Sequence, residues 1–330
     1  MIPPALPSGL AAAIASQLER RPRQALAESA RRLSESYRAR KPTSDAIRDE
    51  TDALAYALTR MPATYAAVAA TLGRLADEQP DFAPRSLLDI GCGLGAAAYA
   101  AVSVWPEIAE VEMLDRSQAF LDLAAKLATE SGSAVAGASI RAADFARLPE
   151  AESTSDLVVV AYALTELADA DLPGVAHSLW ARTGGALAIV EPGTPRDYAR
   201  LMGLRARLID LGARILAPCP HANACRLAPP DWCHFCVRLP RSREHKLLKG
   251  AEAPFEDEKF SYLVAARHGA GAAARILSSP RHSKAGITLR LCTPNGLNEI
   301  FLPKRDKARY ESVRRKEWGD ALDAVPEDAA

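Results

Sequence analysis

"SLLDIGCGLG", residues 86–95, runs from an apolar stretch ending at Ile90 into a loop in which Gly91, Gly93 and Gly95 alternate with other residues. The following "AAAYAAVSVW" (96–105) consists largely of good helix formers, so the loop joins a strand to a helix. Glycines at such a junction permit a sharp turn and leave main-chain N–H groups at a helix start open to a ligand. Toward the C-terminus the pattern repeats. "AEVEMLD" (109–115), "QAFLDLAAKLATES" (118–131), "ASIRAADF" (138–145), "SDLVVVAYAL" (155–164), "ADLPGVAHSLWART" (170–183) and "GGALAIVEPG" (184–193) alternate between strand and helix character. That alternation predicts an α/β, Rossmann-like fold with a parallel sheet covered by helices on both faces.

Upstream of residue 81 the chain reads as helices. "LAAAIASQLERR", "RQALAESARRLSESYRAR" and "SDAIRDETDALAYALTR" lack β-branched runs and are punctuated by Pro42 and Pro62. Ser44 and Asp45, ahead of Ile47, Leu54 and Leu58, predict a helix start, and Pro62 suits the first turn of the next helix. Downstream lie a loop-like, basic, cysteine-rich segment, two strand candidates at "KFSYLVAAR" (259–267) and "GITLRLCTPNG" (286–296), and a charged tail read as helical. The expected organisation is an N-terminal helical region (1–80), a cofactor-binding Rossmann-like core (81–200), a cysteine-rich insertion (201–255), the last strands of the sheet (256–302) and a basic tail (303–330).

Lys plus Arg and Asp plus Glu both number 41, so no global charge bias steers the chain to nucleic acid or membrane. It has no apolar run long enough to cross a bilayer, and its opening lacks a basic region before the first apolar stretch. Glu19, Glu28 and Glu35 break the acid-poor pattern of organelle transit peptides. A cytoplasmic protein with no membrane association is expected, and the lack of heptads points to a monomer. In a reducing compartment clustered cysteines hold a metal or cluster more often than a disulfide.

Asp115 closes the strand after the glycine loop, where a carboxylate can take both ribose hydroxyls of a nucleoside. The spacing of Gly95 departs from the G-x-G-x-x-G dinucleotide fingerprint and argues against NAD. The stretch resembles motif I of class I S-adenosylmethionine-dependent methyltransferases, and the likeness covers residues 86–192. That resemblance implies that Asp89, Gly91, Gly93 and Gly95 border the methionine part of the cofactor, Asp115 the ribose, and Asp144 with Phe145 the adenine. It also implies that Tyr162, Thr165 and Glu166 line the methyl-transfer face. Cys92, inside the loop, reads as a small space-filling residue. No N-P-P-Y or D-P-P-Y sequence follows "DLVVV", so the methyl acceptor is not legible, and no general base can be named. Glu191 in "EPGTP" stands at a strand's carboxyl end, where open α/β sheets bind ligands.

"PCPHANACRLAPPDWCHFC" (218–236) holds Cys219, Cys225, Cys233 and Cys236, with His221 and His234 among them. Thiolates in such number suit zinc or an iron-sulfur cluster. A zinc ribbon normally offers two C-x-x-C pairs, and only Cys233 with Cys236 has that spacing. The C-x-x-x-C-x-x-C of radical S-adenosylmethionine enzymes is absent. Proximity in sequence makes Cys236 a natural fourth ligand.

"RMPATYAAV" (60–68), "LLDIGCGLG", "EPGTP", "APCPHANAC", "WCHF" and "KRDKARYESVRRKEWGD" (304–320), in this order, are together similar to the mitochondrial small-ribosomal-subunit Rsm family of methyltransferase-like proteins and its bacterial relatives. The resemblance runs through nearly the whole chain. It implies a class I methyltransferase core, bound S-adenosylmethionine, a [4Fe–4S] cluster, and action on the small ribosomal subunit and its rRNA. In the family pattern three ligands fall at Cys219, Cys225 and Cys233 and the fourth at Cys292, with Cys236 as the alternative. His221 and His234 are read as supporting donors or surface residues rather than ligands. Two stretches have excess Arg and Lys: 200–250, with Arg241 and Arg243, and 303–318, with Lys304, Arg305, Arg314 and Arg315. Such patches neutralise phosphates, and the interleaved Tyr310 and Trp318 can stack on unpaired bases. The expected function is rRNA methylation or a role in small-subunit assembly. The alternatives are a non-catalytic RNA-binding assembly factor with a structural cluster, and a zinc-binding methyltransferase with another substrate.

Overall fold

The computed structural model describes residues 3–19, 21–39 and 46–326. Among the described residues the chain opens with the helices α1 (Ser8–Glu19), α2 (Arg23–Arg38), α3 (Glu50–Thr59) and α4 (Met61–Glu78). Asp49 caps α3 by accepting from the N–H groups of Thr51 and Asp52, and Pro62 occupies the first turn of α4 as expected. The helix start read at Ser44 and Asp45 lies outside the described residues. No described helix is long and apolar enough to cross a membrane.

The core then alternates as read: β1 (Ser86–Ile90), α5 (Ala96–Val104), β2 (Glu110–Asp115), α6 (Gln118–Ser131), β3 (Ser139–Ala142), β4 (Ser155–Ala161), α7 (Leu172–Arg182), β5 (Thr183–Pro192) and α8 (Pro195–Asp210). These give way to β6 (Arg214–Ala217), β7 (Phe235–Pro240), α9 (Arg243–Lys249) and β8 (Phe255–Ala266). The main sheet runs β3-β2-β1-β4-β5-β8-β6, with β7 also paired to β8. β1 to β5 are parallel, whereas β8 is antiparallel to β5, β6 and β7. The central strands are buried on both faces, as their nearly continuous apolar sequence requires. Alternate residues divide between two cores. Leu87, Val159 and Ala188 pack with α1 to α6, while Leu88, Val158, Val160 and Ile189 pack with α7 and α8.

Residues 256–302 were expected to complete this sheet, and only β8 does so. β9 (Ala274–Ile276), β10 (Arg281–His282), β11 (Gly286–Thr293), β12 (Gly296–Pro303) and β13 (Ala321–Leu322) form a separate sheet, β10-β11-β9-β13 with β12 on β11. The cause is local: β11 turns tightly into β12 and pairs with it along its whole length, from Gly286 opposite Pro303 to Thr293 opposite Gly296. This small sheet has its own core around Ile276, Leu289, Leu291 and Leu302. Among the described residues the tail is helical only over α10 (Lys307–Val313): Pro303 still belongs to β12, and the chain turns at Gly319 (φ +95°) into β13. Nor is the cysteine-rich segment all loop, since Cys236 lies on β7.

Candidate functional site

A cavity of about 560 Å³ opens at the carboxyl ends of β1, β2, β4 and β5. Gly91 and Cys92 both donate their N–H to the Leu114 carbonyl, at 2.8 and 3.0 Å, which folds the glycine loop against β2. Gly93 then points its N–H at Asp115 Oδ2 (2.8 Å), and Ser117 N–H meets Asp115 Oδ1 (2.8 Å). Gly93 has φ +54°, and beyond its Cα lies space bounded by Phe120 at 3.9 Å, so a side chain there would be strained and would fill the cavity floor. Burial raises the Asp115 pKa, partly opposed by these backbone hydrogen bonds.

Gly91, Gly93, Asp115, Asp144, Phe145, Tyr162, Thr165 and Glu166 all line this cavity. Asp89 and Gly95 do not. Asp89, 1% exposed, accepts from the Ala98 N–H at 3.1 Å, and burial pushes its pKa up to about 7. A Cβ on Gly95 would lie 2.6 Å from the Met113 methyl. Both residues shape the loop from behind. Asp144 caps a short turn through the Ala146 N–H, and Tyr162 takes a left-handed backbone (φ +58°), alone among the described non-glycine residues. Its hydroxyl donates to Glu258 on β8 at 2.7 Å. Tyr56, Arg60 and Thr64, from the N-terminal helices, also line the cavity; Arg60 and Thr64 lie in RMPATYAAV, but the sequence reading gave none of the three a place at the site.

Glu191, singled out for its place on β5, is buried beneath the loop that follows β4. Its Oε1 accepts from the Leu164 N–H (3.0 Å), while Oε2 is buried without a partner. Arg200 holds the same loop from the other side, donating to the carbonyls of Leu164 (2.8 Å) and Leu167 (2.7 Å) and pairing with Asp169. Burial pushes Glu191 up to about 8, and nearby Asp197 adds to the effect. A folded-state pKa above the ordinary 4.5 penalises the fold progressively as pH rises from about 4.5 to about 8. Glu191→Gln is therefore expected to stabilise the protein by roughly 4 kcal/mol at pH 8 and by almost nothing at pH 4.5. Urea midpoints at the two pH values measure this, and an equal change at both would exclude the cause given.

The second site is assembled from distant parts of the chain. Cys219, Cys225, Cys233 and Cys292 line one small cavity of about 20 Å³, together with Tyr198, Met202, Ser261 and Tyr262. Cys236 lies outside it, on β7 opposite Lys259. All six thiols are free. Among the described residues no three His, Cys, Asp or Glu side chains converge as ligands of a single metal ion do. Burial raises the pKa of Cys219, Cys233 and Cys292, the last to about 12, and the neighbouring cysteines push in the same direction. Arg275 opposes this at all three, and Arg205 at Cys219 and Cys292. Tyr198 donates its hydroxyl to Cys225 Sγ (3.0 Å), and His221 Nε2 lies 3.6 Å from Cys292 Sγ. His234 is instead stacked on Trp232 and edge-on to Trp318. The sequence reading missed Tyr198, Arg205 and Arg275. Tyr198 and Arg205 are seven residues apart, on one face of a helix, and that spacing was the available signal.

Of the basic residues named from sequence, Arg243, Lys304, Arg305, Arg314 and Arg315 are exposed. Arg314 pairs with Glu311. Arg241 is less available: it joins His245 and Lys249 around Glu256, which is held down at about 2, chiefly by the His245 hydrogen bond.

A family profile described as mitochondrial small ribosomal subunit Rsm22 matches residues 50–323. The human protein "Ribosome assembly protein METTL17, mitochondrial" is 31% identical over 299 residues, covering 84% of this chain. The chain spans 63% of that relative's length. Among solved structures, a magnesium protoporphyrin IX methyltransferase from Synechocystis PCC 6803 with bound SAM is 14% identical, with a TM-score of 0.38, covering 63% of this chain and 84% of its own. The plantazolicin methyltransferase BpumL in complex with SAH is 15% identical, with a TM-score of 0.41, covering 74% and 95%.

Proposed function

The chain belongs to the Rsm22 family, and from that premise we propose that it binds S-adenosylmethionine in the large cavity, carries a [4Fe–4S] cluster at the cysteine cavity, and acts on rRNA during small-subunit assembly. The observation that carries the reading is the meeting of Cys219, Cys225, Cys233 and Cys292 at one cavity from which Cys236 is excluded. Four soft thiolates are the donor set a cubane needs, and Arg205 and Arg275 supply positive charge beside them. When bound, such a cluster cross-links the 218–234 loop to β11 and can exchange an electron. In the large cavity Asp115 is placed for the ribose hydroxyls, the Gly91–Gly93 backbone for the methionine end, and Asp144 with Phe145 for the adenine. Methyl transfer there rests on positioning the acceptor in line with the sulfonium. Exposed Arg243, Lys304, Arg305, Arg314 and Arg315 offer phosphate contacts.

A non-catalytic assembly factor that retains the cofactor as a structural ligand is the second reading. It is favoured by the commitment of the Tyr162 hydroxyl to Glu258. Methyl transfer to small-subunit rRNA in a single turnover separates the two.

The first test is iron, acid-labile sulfide and zinc content of protein purified without air. About four iron and four sulfide per chain are expected, lost in Cys219→Ser and Cys292→Ser and kept in Cys236→Ser. One zinc without sulfide would remove the cluster from this reading and bring forward a zinc-binding methyltransferase.

A further inference from the structure

The two cavities share a wall. Helix α8 begins at the large one, where Thr194, Arg196 and Asp197 form part of the lining. Its first turn is closed by Thr194: the Oγ1 accepts from the Asp197 N–H (3.2 Å) and donates to Asp197 Oδ2 (2.6 Å). The next residue, Tyr198, hydrogen-bonds through its N–H to the Thr194 carbonyl (3.0 Å) and through its hydroxyl to Cys225 Sγ (3.0 Å). One residue before Thr194, the Gly193 carbonyl accepts from Trp232 Nε1 (3.0 Å), the neighbour of Cys233. Arg205, two turns along α8, holds the carbonyls of His221 and Asn223 in the same loop. The cysteine loop thus grips both sides of the turn that lines the other site.

Resting on the cluster and cofactor reading above, we infer that the two sites are coupled through residues 193–198, so that filling the cysteine cavity tightens binding of the adenosyl cofactor and the cofactor in turn retains the cluster. The space among the thiols, about 20 Å³, is bounded by the cysteine loop itself, so whatever the thiols hold also holds that loop. That loop cannot shift without acting on Gly193 and Tyr198, which are bonded to it directly. Fixing the loop also fixes the Thr194–Asp197 turn, so less ordering remains when the cofactor arrives. Linkage makes the effect reciprocal.

The test is calorimetric titration of S-adenosylhomocysteine into iron-loaded and chelator-stripped protein, with iron and sulfide measured on each sample. Affinity is expected to be about fivefold or more higher in the loaded form. The Tyr198→Phe/Trp232→Phe double variant removes both hydrogen bonds while keeping an aromatic ring at each position. With affinities compared at the iron and sulfide content measured on each sample, its loaded and stripped affinities are expected to become equal. If stripped protein loses its near-ultraviolet circular dichroism, a second measurement applies to loaded protein alone. S-adenosylhomocysteine should then slow iron release to a chelator in the wild type and not in the double variant. Equal affinities in well-folded loaded and stripped wild type, or iron release indifferent to the ligand, overturn the coupling and leave the cluster in place. Failure of the wild type to load iron and sulfide overturns both the coupling and the reading on which it rests.

Discussion

Asp115→Ala is expected to weaken S-adenosylhomocysteine binding by about a hundredfold. The carboxylate closes β2 and faces the large cavity, where a ribose can present two hydroxyls to it. Two charge-assisted hydrogen bonds lost together are worth about 3 kcal/mol after the exchange with water, which is two decades in affinity. The same side chain also receives the Gly93 and Ser117 N–H groups, so its removal loosens the glycine loop and adds to the loss. Asp115→Asn retains the shape and part of the accepting capacity and should fall between the two. Because burial raises the Asp115 pKa, the wild type should begin to lose affinity on acidification at a higher pH than an exposed aspartate would allow. Calorimetric titration against pH measures both effects. An unchanged dissociation constant in Asp115→Ala would place the nucleoside elsewhere.

Arg275→Met should cost about 3–5 kcal/mol of stability. Arg275 is 1% exposed on β9, and its guanidinium makes a two-pronged ion pair with Glu78, at 2.7 and 2.8 Å, at the end of α4. It also donates to the carbonyls of Pro218 (2.9 Å) and Gly319 (3.1 Å). Methionine fills much of the volume but strands a carboxylate and two carbonyls in a dry place. Adding Glu78→Gln removes the stranded charge and should restore a good part of the loss, which a double-mutant cycle in urea would quantify. A single-variant cost below about 1 kcal/mol would mean that Glu78 finds solvent when its partner leaves.

The main sheet was legible because each of its central strands carries an apolar run and most of the crossovers between them a helical one. QAFLDLAAKLATES, for example, coincides with α6 from Gln118 to Ser131. Beyond β5 that signal fails for a physical reason. Antiparallel pairing is decided by which edges meet, and GITLRLC has the same apolar character whether it joins β8 or folds back on β12. Arg60 and Thr64 stand in the RMPATYAAV motif, but that they and Tyr56 wall the cavity was illegible because it depends on how the N-terminal helices dock, which no spacing within them encodes. In the same way Arg275 in GAAARILSS reads as a surface charge until Glu78 is brought to it. The inclusion of Cys292 came from family pattern rather than spacing, and the structure places it beside Cys219, Cys225 and Cys233.

The small sheet has a consequence for the order in which the molecule can be completed. Its strand β9 is held on one side by β11 and on the other by β13, whose Leu322 lies opposite Ala274. Arg275 reaches back 197 residues to Glu78. A nascent chain can settle the parallel sheet once β5 has emerged, but it cannot gather the four thiols until β11 has been made, nor brace them until β13 arrives. The cysteine centre therefore forms after the parallel sheet, and its assembly in a molecule certifies that the chain was synthesised and folded through β11.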